Sequence, residues 1–317
     1  MTEIIYVDRK TKREEKEKVY GQFFIEMLYG KGLLSRVLSY VFLPFFSKIP
    51  FFSWLYGFFQ KSSMSRFKIQ PFIRAFHVDA SEFLDPVDSF ASFNDFFVRR
   101  LKLRCRPMVG GDDVASLPAD ARYLVFPNIK KADGFWVKGK KFSLKALLCD
   151  DNLAACYEEG AMVIARLCPV DYHRFHFPCA CTPGKARLIN GPLFSVNPMA
   201  LKRNIDILSE NKRMITELET SHFGKVLYID VGATYVGSIV QTYTPGKAYA
   251  KGDEKGYFSF GGSCLIVLFE PGKIVFDQDL IDTSLRKMEV RGWLGQSLGT
   301  VSPLGGAADR AVFTVMS

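Results

Sequence analysis

The spacing of hydrophobic and polar positions changes near residue 115 and divides the chain into two parts. Between residues 33 and 60 the apolar positions recur at i, i+3, i+4, i+7 and i+8, which is the spacing of one face of a helix. These positions are Leu34, Val37, Leu38, Val41 and Phe42. Pro44, Lys48 and Pro50 interrupt the stretch. Proline ends a helix, and a lysine at the centre of a spanning helix costs roughly 3 kcal/mol. The pattern therefore predicts two short amphipathic helices rather than one transmembrane helix.

After residue 115, short β-prone runs alternate with glycine and proline turns, as in "ARYLVFP", "GAMVIARLCP", "GKVLYIDVGATYVGSIVQTYTPG" and "FGGSCLIVLFEPG". Regular short strands with turn signals are typical of a sandwich or a barrel. We predict an α+β fold with a mainly antiparallel, sandwich- or barrel-like β core and N-terminal amphipathic helices. The predicted regions are residues 1–110, helical and membrane-associating, and residues 111–317, rich in β-structure. Ser92 and Asp95 in "SFNDFFVRRLKLRCRP" match a capping box, which predicts a helix beginning there.

Composition adds a preference for an anionic surface. The net charge is +9, and 29 of the 317 residues are phenylalanine. No zinc-finger or RNP signature accompanies the basic residues, so we do not expect a nucleic-acid partner. We interpret the N-terminal helices as lying in the bilayer interface with their basic residues toward lipid headgroups; the alternative is that they cap a core. The seven cysteines show no disulfide framework, which favours a reducing compartment.

Three short features carry groups that could do chemistry. In "YFSFGGSCLIVLFEPG" two glycines and Ser263 interrupt a strand pattern, which indicates a bulge, a hard bend or a hairpin turn with a solvated serine. His173 and His176 stand together in "CPVDYHRFHFP" and could bind a metal with a third ligand or act as acid and base. On an extended strand their odd offset would place them on opposite faces. Asp120 in "SLPADARYLVFP" suits a turn.

Taken together, these stretches resemble the phosphatidylserine decarboxylase family, pyruvoyl-dependent membrane enzymes that make phosphatidylethanolamine. The resemblance covers roughly residues 85–295. It is carried by the order and separation of "SFNDFFVRRLKLRCRP", "PADA", "CPVDYHRFHFP", "VGATYVGSI" and "KGDEKGYFSFGGS". No single stretch would be specific, whereas the joint match is.

The resemblance implies that the chain cuts itself between Gly262 and Ser263, giving a larger chain 1–262 and a smaller chain 263–317. Ser263 would become a covalent pyruvoyl group, which forms a Schiff base with the amine of phosphatidylserine as carbon dioxide leaves. His176 is carried over as the base for Ser263 and Asp120 as its orienting partner. His173 is carried over as the residue acting in the decarboxylation itself. No metal or added cofactor is implied.

The expected assembly is a heterodimer of the two cleavage chains, and a dimer of these heterodimers is left open. The expected location is peripheral, on the cytoplasmic side of the cell membrane, against an anionic surface that holds the substrate. Two positions depart from the family pattern. Ala121 stands where glycine is usual, and Cys264 stands where threonine is usual. A thiol is a weaker hydrogen-bond donor than a hydroxyl.

Two alternatives have different signatures. A metal-dependent hydrolase would use His173, His176 and Asp120 and would contain stoichiometric metal. A non-catalytic lipid-binding relative would remain an uncut chain and would bind lipid without releasing carbon dioxide.

Overall fold

The structure is a computed structural model that describes residues 4–17, 57–131, 136–137, 140–201, 204, 206–233, 238–261 and 263–303. Most of the stretch between residues 33 and 60, where two amphipathic helices are predicted, lies outside the described residues, which resume at residue 57. Gly262 also lies outside them.

The described strands are, in chain order, β1 (Ile5–Asp8), β2 (Glu14–Lys16), β3 (Val114–Ser116), β4 (Ala121–Phe126), β5 (Trp136–Val137), β6 (Lys140–Lys141), β7 (Ala161–Leu167), β8 (Arg174–His176), β9 (Thr182–Pro183), β10 (Arg187–Ile189), β11 (Arg213–Glu219), β12 (Lys225–Gly232), β13 (Ile239–Gln241), β14 (Glu254–Phe258), β15 (Ser263–Phe269), β16 (Ile274–Phe276), β17 (Glu289–Gly292) and β18 (Ser297–Val301). The α-helices are α1 (Ile69–Phe76), α2 (Phe93–Phe97), α3 (Leu144–Leu148), α4 (Asp151–Tyr157), α5 (Pro198–Leu201), α6 (Ile207–Glu210) and α7 (Gln278–Leu285). Short 3-10 helices occupy Ser63–Lys68, Ala80–Glu82, Val87–Ser89 and Leu103–Cys105.

A ten-stranded sheet forms the centre of the molecule. Its order is β10-β11-β12-β15-β7-β4-β17-β1-β2, and β9 also pairs with β11. Adjacent strands are antiparallel except for β1 and β17, which are parallel. Two three-stranded sheets, β13-β14-β8 and β16-β18-β3, accompany it. The predicted α+β class with antiparallel sheets is therefore confirmed, but the path of the described strands is open and does not close into a barrel.

The alternation of side chains along β15 divides the core into two layers. Leu265, Val267 and Phe269 point into a cluster shared with the small sheets, including Phe175 and Phe258. Cys264, Ile266 and Leu268 point into a second cluster, which contains the apolar residues of α3, α4 and α6. Because successive side chains of a strand face opposite sides, Ser263 lies on the face that carries the small sheets.

The region 1–110 is predicted to be helical, but its first described residues form two β-strands. β1 and β2 join the edge of the large sheet, and β1 pairs in parallel with β17. Tyr6 of β1 is buried, with the Arg122 guanidinium 5.0 Å from the centre of its ring. Strands of three or four residues are too short for their period to stand out in a highly charged sequence, so packing rather than pattern determines them.

The predicted helix start with Ser92 as its N-cap is confirmed, while the returning bond from Asp95 reaches the residue before the cap. The Ser92 hydroxyl accepts a hydrogen bond from the Asp95 backbone N–H at 3.1 Å, and the Asp95 carboxylate accepts one from the Ala91 N–H at 2.9 Å. The cap starts α2, which packs in a cluster of aromatic rings that also contains Phe260, two residues before Gly262. The buried members of this cluster are Ile69, Phe72, Phe83, Phe90, Phe93, Phe96, Phe97 and Phe260.

A buried ion pair lies beneath the aromatic side of the large sheet. Lys255 Nζ donates to Asp230 Oδ2 at 2.7 Å and to Gln241 Oε1 at 2.8 Å, and neither side chain of the ion pair is exposed. Three rings surround the ammonium, with Tyr228 the nearest at 4.6 Å from its centre. Burial raises the pKa of Asp230 and lowers the pKa of Lys255, so each charge depends on the other.

We expect Lys255→Met to lower the free energy of unfolding by about 3–5 kcal/mol, because it leaves the Asp230 carboxylate buried and unpaired. Urea unfolding in a Ser263→Ala background, where the chain is expected to stay in one piece, measures the effect. The double variant Lys255→Met with Asp230→Leu removes both charges and should recover most of the loss. A single variant as stable as its parent would contradict the pairing.

Candidate active site

Ser263 begins β15 in the middle of the large sheet and is fully buried. It pairs with Gly232 of β12 on one side and with Leu167 of β7 on the other. Gly261 has φ +146°, a conformation open to glycine and not to residues with a Cβ. The chain therefore enters β15 through a bend that requires glycine, and the serine that follows is enclosed. A hairpin turn with a solvated serine is not what the structure forms.

The His173 ring faces this serine. Its Nδ1 lies 3.4 Å from Ser263 Oγ, and its Nε2 lies 2.9 Å from the Cys168 carbonyl oxygen. A carbonyl oxygen only accepts, so Nε2 carries the proton and the lone pair of Nδ1 points at Ser263. Phe97 of α2 stacks on the imidazole with ring centres 3.9 Å apart. Backbone and aromatic contacts thus fix both the tautomer and the position of the ring.

His173 is neutral at physiological pH. Burial, together with the nearby Arg99 guanidinium, lowers its pKa to about 3. The hydrogen bond to Cys168 opposes this shift but does not outweigh it. The imidazole therefore presents a lone pair, with little basicity, to the serine hydroxyl.

His176 has different partners. Its Nδ1 lies 2.9 Å from the Gly252 carbonyl oxygen, and its Nε2 lies 3.4 Å from the Tyr172 hydroxyl. Burial is the main cause that lowers its pKa, whereas the charges of Glu254 and Asp120 raise it. Asp120 therefore acts on His176 through its charge, without a hydrogen bond between the two side chains.

Asp120 is held by Arg106. Arg106 Nη2 donates to Asp120 Oδ2 at 2.6 Å and Arg106 Nε donates to Oδ1 at 2.9 Å, while the Leu294 backbone N–H donates to Oδ1 at 2.9 Å. Within the described residues, Asp120, His176 and Ser263 are not joined by direct hydrogen bonds. The structure brings Ser263 and His173 together, and the predicted roles of His176 and Asp120 stay predictions.

The three residues named for a metal-dependent hydrolase do not converge. One His173 nitrogen bonds to Cys168 and the other faces Ser263, while Arg106 occupies the Asp120 carboxylate. Across the ranges that the structure describes, no three side chains among His, Cys, Asp and Glu are grouped to hold a metal ion.

A buried network of charges holds the loop that carries His173. Arg122 pairs with Asp171, whose Oδ2 accepts the Cys168 N–H at 2.8 Å. Next to it, Arg166 pairs with Glu17 at 2.6 Å and with Glu289 at 2.5 Å. The Cys168 carbonyl orients the His173 imidazole, so the ion pairs that hold this loop also help to fix the position of that ring.

Sequence reasoning missed Arg106, Phe97, Tyr172 and the Cys168 carbonyl as parts of the site. All four lie inside the stretches "SFNDFFVRRLKLRCRP" and "CPVDYHRFHFP", or at their edges. The motifs therefore contained these residues, but the sequence did not indicate which of them pair with residues distant in the chain.

The two residues that depart from the family pattern, Ala121 and Cys264, lie at positions where the structure gives them no contact with the Ser263 side chain. Cys264 faces the opposite side of the sheet from Ser263, and burial raises the pKa of its thiol to about 12. The thiol is therefore protonated and turned away from the serine. Ala121 is buried at the start of β4, where it pairs with Gly292, so it needs no special backbone conformation.

A buried serine hydroxyl beside the lone pair of a neutral histidine is the arrangement expected where a serine side chain is to be activated. A family model described as phosphatidylserine decarboxylase matches residues 93–292. The chain is 50% identical to a phosphatidylserine decarboxylase proenzyme of Chlamydia pneumoniae, over 93% of this chain and 96% of that protein. It is 49% identical to the proenzyme of Chlamydia muridarum, over 94% of this chain and 97% of that protein. The chain belongs to the phosphatidylserine decarboxylase family.

Among the residues that the structure describes, no helix combines the length and apolar character needed to cross a membrane.

Proposed function

We propose that this chain is a phosphatidylserine decarboxylase, made as a proenzyme, which cuts itself between Gly262 and Ser263. It converts phosphatidylserine to phosphatidylethanolamine and carbon dioxide. The observation that carries the proposal is the enclosed contact of Ser263 Oγ with His173 Nδ1, 3.4 Å apart, directly after a glycine-dependent bend.

Position 263 suits a covalent pyruvoyl group formed from the serine. The site is buried, the Phe97 ring covers the adjacent imidazole, and the imidazole points a lone pair at the side chain of residue 263. Such a group supplies an electrophilic carbonyl that can accept the electron pair released with carbon dioxide. The protein surroundings exclude water from this position and hold His173 against it.

The fold supports a lasting complex of the two chains after cleavage. β15 belongs to the smaller chain and lies between β12 and β7 of the larger one, paired along its whole length. All seven of its residues are buried. Removing the strand would expose both core layers, so the products of cleavage stay together as a heterodimer.

The two histidines divide the chemistry between them. His173 touches position 263 and acts on the reacting part of the substrate during decarboxylation. His176 takes the proton of the Ser263 hydroxyl during self-cleavage. Burial lowers the pKa of both histidines, but the hydrogen bond to Gly252 and the charges of Glu254 and Asp120 oppose this shift at His176, whereas the Arg99 charge adds to it at His173. Catalytic hydrogen bonds are often long before the reactive complex forms, so the present separation of His176 from the serine does not exclude this role.

The described N-terminal segment offers a surface for an anionic membrane on the cytoplasmic side. Met64 and Phe67 are exposed beside Arg66 and Lys68 on one short helix. Exposed apolar side chains among basic ones suit insertion at the level of anionic headgroups. The substrate is itself an anionic lipid, so the surface and the site serve the same molecule.

An intact-mass spectrum under denaturing conditions tests the proposal, together with an assay for carbon dioxide released from phosphatidylserine vesicles. We expect two chains, 1–262 and 263–317, with a carbonyl in place of the amino terminus of the smaller one, and release of carbon dioxide. An uncut chain that binds vesicles without releasing carbon dioxide would establish the non-catalytic alternative instead.

A further inference from the structure

Arg99 follows α2 and is buried, and it forms no direct ion pair with any residue that the structure describes. Its guanidinium donates to three backbone carbonyls, those of Phe96 at 3.5 Å, Val170 at 3.4 Å and Asp171 at 3.3 Å. Its Nε has no hydrogen-bond partner. Among the described residues, no carboxylate lies within 4.0 Å of it. These hydrogen bonds are long and their acceptors are neutral. A guanidinium normally binds a carboxylate or phosphate through two parallel N–H···O bonds.

The other buried arginines near the site are paired. Arg106 binds Asp120 and Glu82, Arg122 binds Asp171, and Arg166 binds Glu17. Burial of an unpaired charge is costly, and stability alone would not retain it. Burial lowers the pKa of Arg99 to about 10, so the side chain still carries its charge at neutral pH.

Arg99 lines a cleft of about 180 Å³ beside the active site. The cleft also contains carboxylates: Arg106 forms ion pairs with both Asp120 and Glu82, Arg122 pairs with Asp171, and Asp79 accepts the Ser81 backbone N–H. Among the described residues, the Arg99 guanidinium is the buried one in this cleft that forms no direct ion pair within 4.0 Å, although the charges of Asp120, Asp171 and Glu82 act on it from farther away. The wall of the cleft includes Phe83, Arg99, Arg106, Asp120, Tyr172 and Trp293.

The cleft is connected to the site by the loop that carries His173, because Asp171 and Tyr172 of this loop line the cleft. The Arg99 charge acts on the His173 imidazole, and Phe97, two residues earlier, stacks on that ring. Arg99 also bonds to the carbonyl of Asp171, which stands two residues before His173. An anion bound at Arg99 would thus lie beside the loop that carries His173.

We propose that Arg99 binds the phosphodiester oxyanion of the lipid headgroup and so positions the substrate amine and carboxylate at residue 263. This inference rests on the proposed function. The carboxylate is the less suitable partner, because it leaves as neutral carbon dioxide, and an ion pair that stabilises its charge in the ground state would oppose the reaction. The phosphodiester keeps its charge throughout, so its binding by Arg99 holds the substrate without that penalty.

The test measures binding of two soluble headgroup analogues to the unreactive Ser263→Ala chain by calorimetry. Glycerophosphoserine has both a phosphodiester and a carboxylate, whereas glycerophosphoethanolamine has the phosphodiester alone. We expect Arg99→Met to weaken binding of both by about 10- to 100-fold, the range for loss of a hydrogen bond to a charged group. Weakening of glycerophosphoserine alone would overturn the phosphodiester assignment, and unchanged binding of both would overturn the role of Arg99.

Two controls separate binding from folding. Arg100→Gln removes a charge from the neighbouring, exposed arginine and should leave both affinities within about twofold. Arg99→Met places an apolar side chain between the Phe83 and Phe96 rings, where the guanidinium now lies 5.0 Å from each ring centre. Its melting temperature should equal or exceed that of the parent, because an unpaired buried charge is removed. A lower melting temperature would assign Arg99 a structural role and contradict the proposal. Failure of the proposed function is distinguished by the unsubstituted chain, which would then stay uncut and release no carbon dioxide. If that chain is cut and active but the Ser263→Ala parent binds neither analogue, the role of Arg99 in headgroup binding is overturned.

Discussion

Replacing Ser263 with alanine is expected to leave the chain in one piece and to abolish decarboxylation. Alanine lacks the hydroxyl that attacks the carbonyl of Gly262, and the neighbouring Cys264 cannot take its place. The Cys264 thiol points into the opposite core layer, and its pKa is raised to about 12. Its attack would also fall on the carbonyl of residue 263, which would cut a different bond and leave no pyruvoyl group.

Denaturing mass spectrometry of Ser263→Ala and of the parent measures this difference directly. Cys264→Thr serves as the matched control, since it restores the residue usual in the family and keeps the serine. We expect Cys264→Thr to be cut between residues 262 and 263. Efficient cutting of Ser263→Ala at that bond would disprove the assignment of the nucleophile.

Replacing His173 and His176 separately is expected to split cleavage from decarboxylation. His173→Ala should be cut, and its decarboxylation rate per cleaved site should fall by about 10² to 10⁴, the usual contribution of a positioned proton-transfer group. His176→Ala should remain uncut, because Ser263 loses its base. Asp120→Asn should also slow cleavage, because it removes the charge that supports His176.

The measurement combines the fraction of cut chain, taken from the mass spectrum, with carbon dioxide release divided by that fraction. His222→Ala provides the control, because His222 is exposed and has no part in the site. It should match the parent in both measurements. An uncut His173→Ala would contradict this division of roles and would assign the serine proton to His173, the histidine that the structure places beside it.

The N-terminal region contributes to the site as well as to the proposed membrane surface. Phe97 and Arg99 precede the predicted boundary at residue 110, yet Phe97 stacks on His173 and Arg99 lines the neighbouring cleft. Phe260 of the β-rich region packs in turn against Phe93 and Phe97. The two predicted regions are therefore joined at the active site.

Local chemistry made much of this predictable. Ser92 and Asp95 satisfy free N–H groups at the start of a helix, and the apolar, β-prone run after Ser263 indicates a strand, so both could be derived without a tertiary structure. The glycines before Ser263 indicated a bend because only glycine takes such conformations without strain. The motifs together identified the family, and with it the residues that could react.

Other features depend on residues that are far apart in sequence. Ser263 and His173 meet because β15 pairs with β7 and the loop after β7 is held by Arg122 and Asp171. No local pattern indicates that Asp120 binds Arg106, or that Arg99 lacks a carboxylate. The sequence alone determined the candidate reactive residue types, an interruption of the strand at the two glycines and the antiparallel class. Only the tertiary structure decided between a bend and a hairpin, which histidine faces the serine, and which buried charge lacks a direct ion pair among the described residues, because hydrogen bonds and ion pairs depend on distances that packing alone establishes.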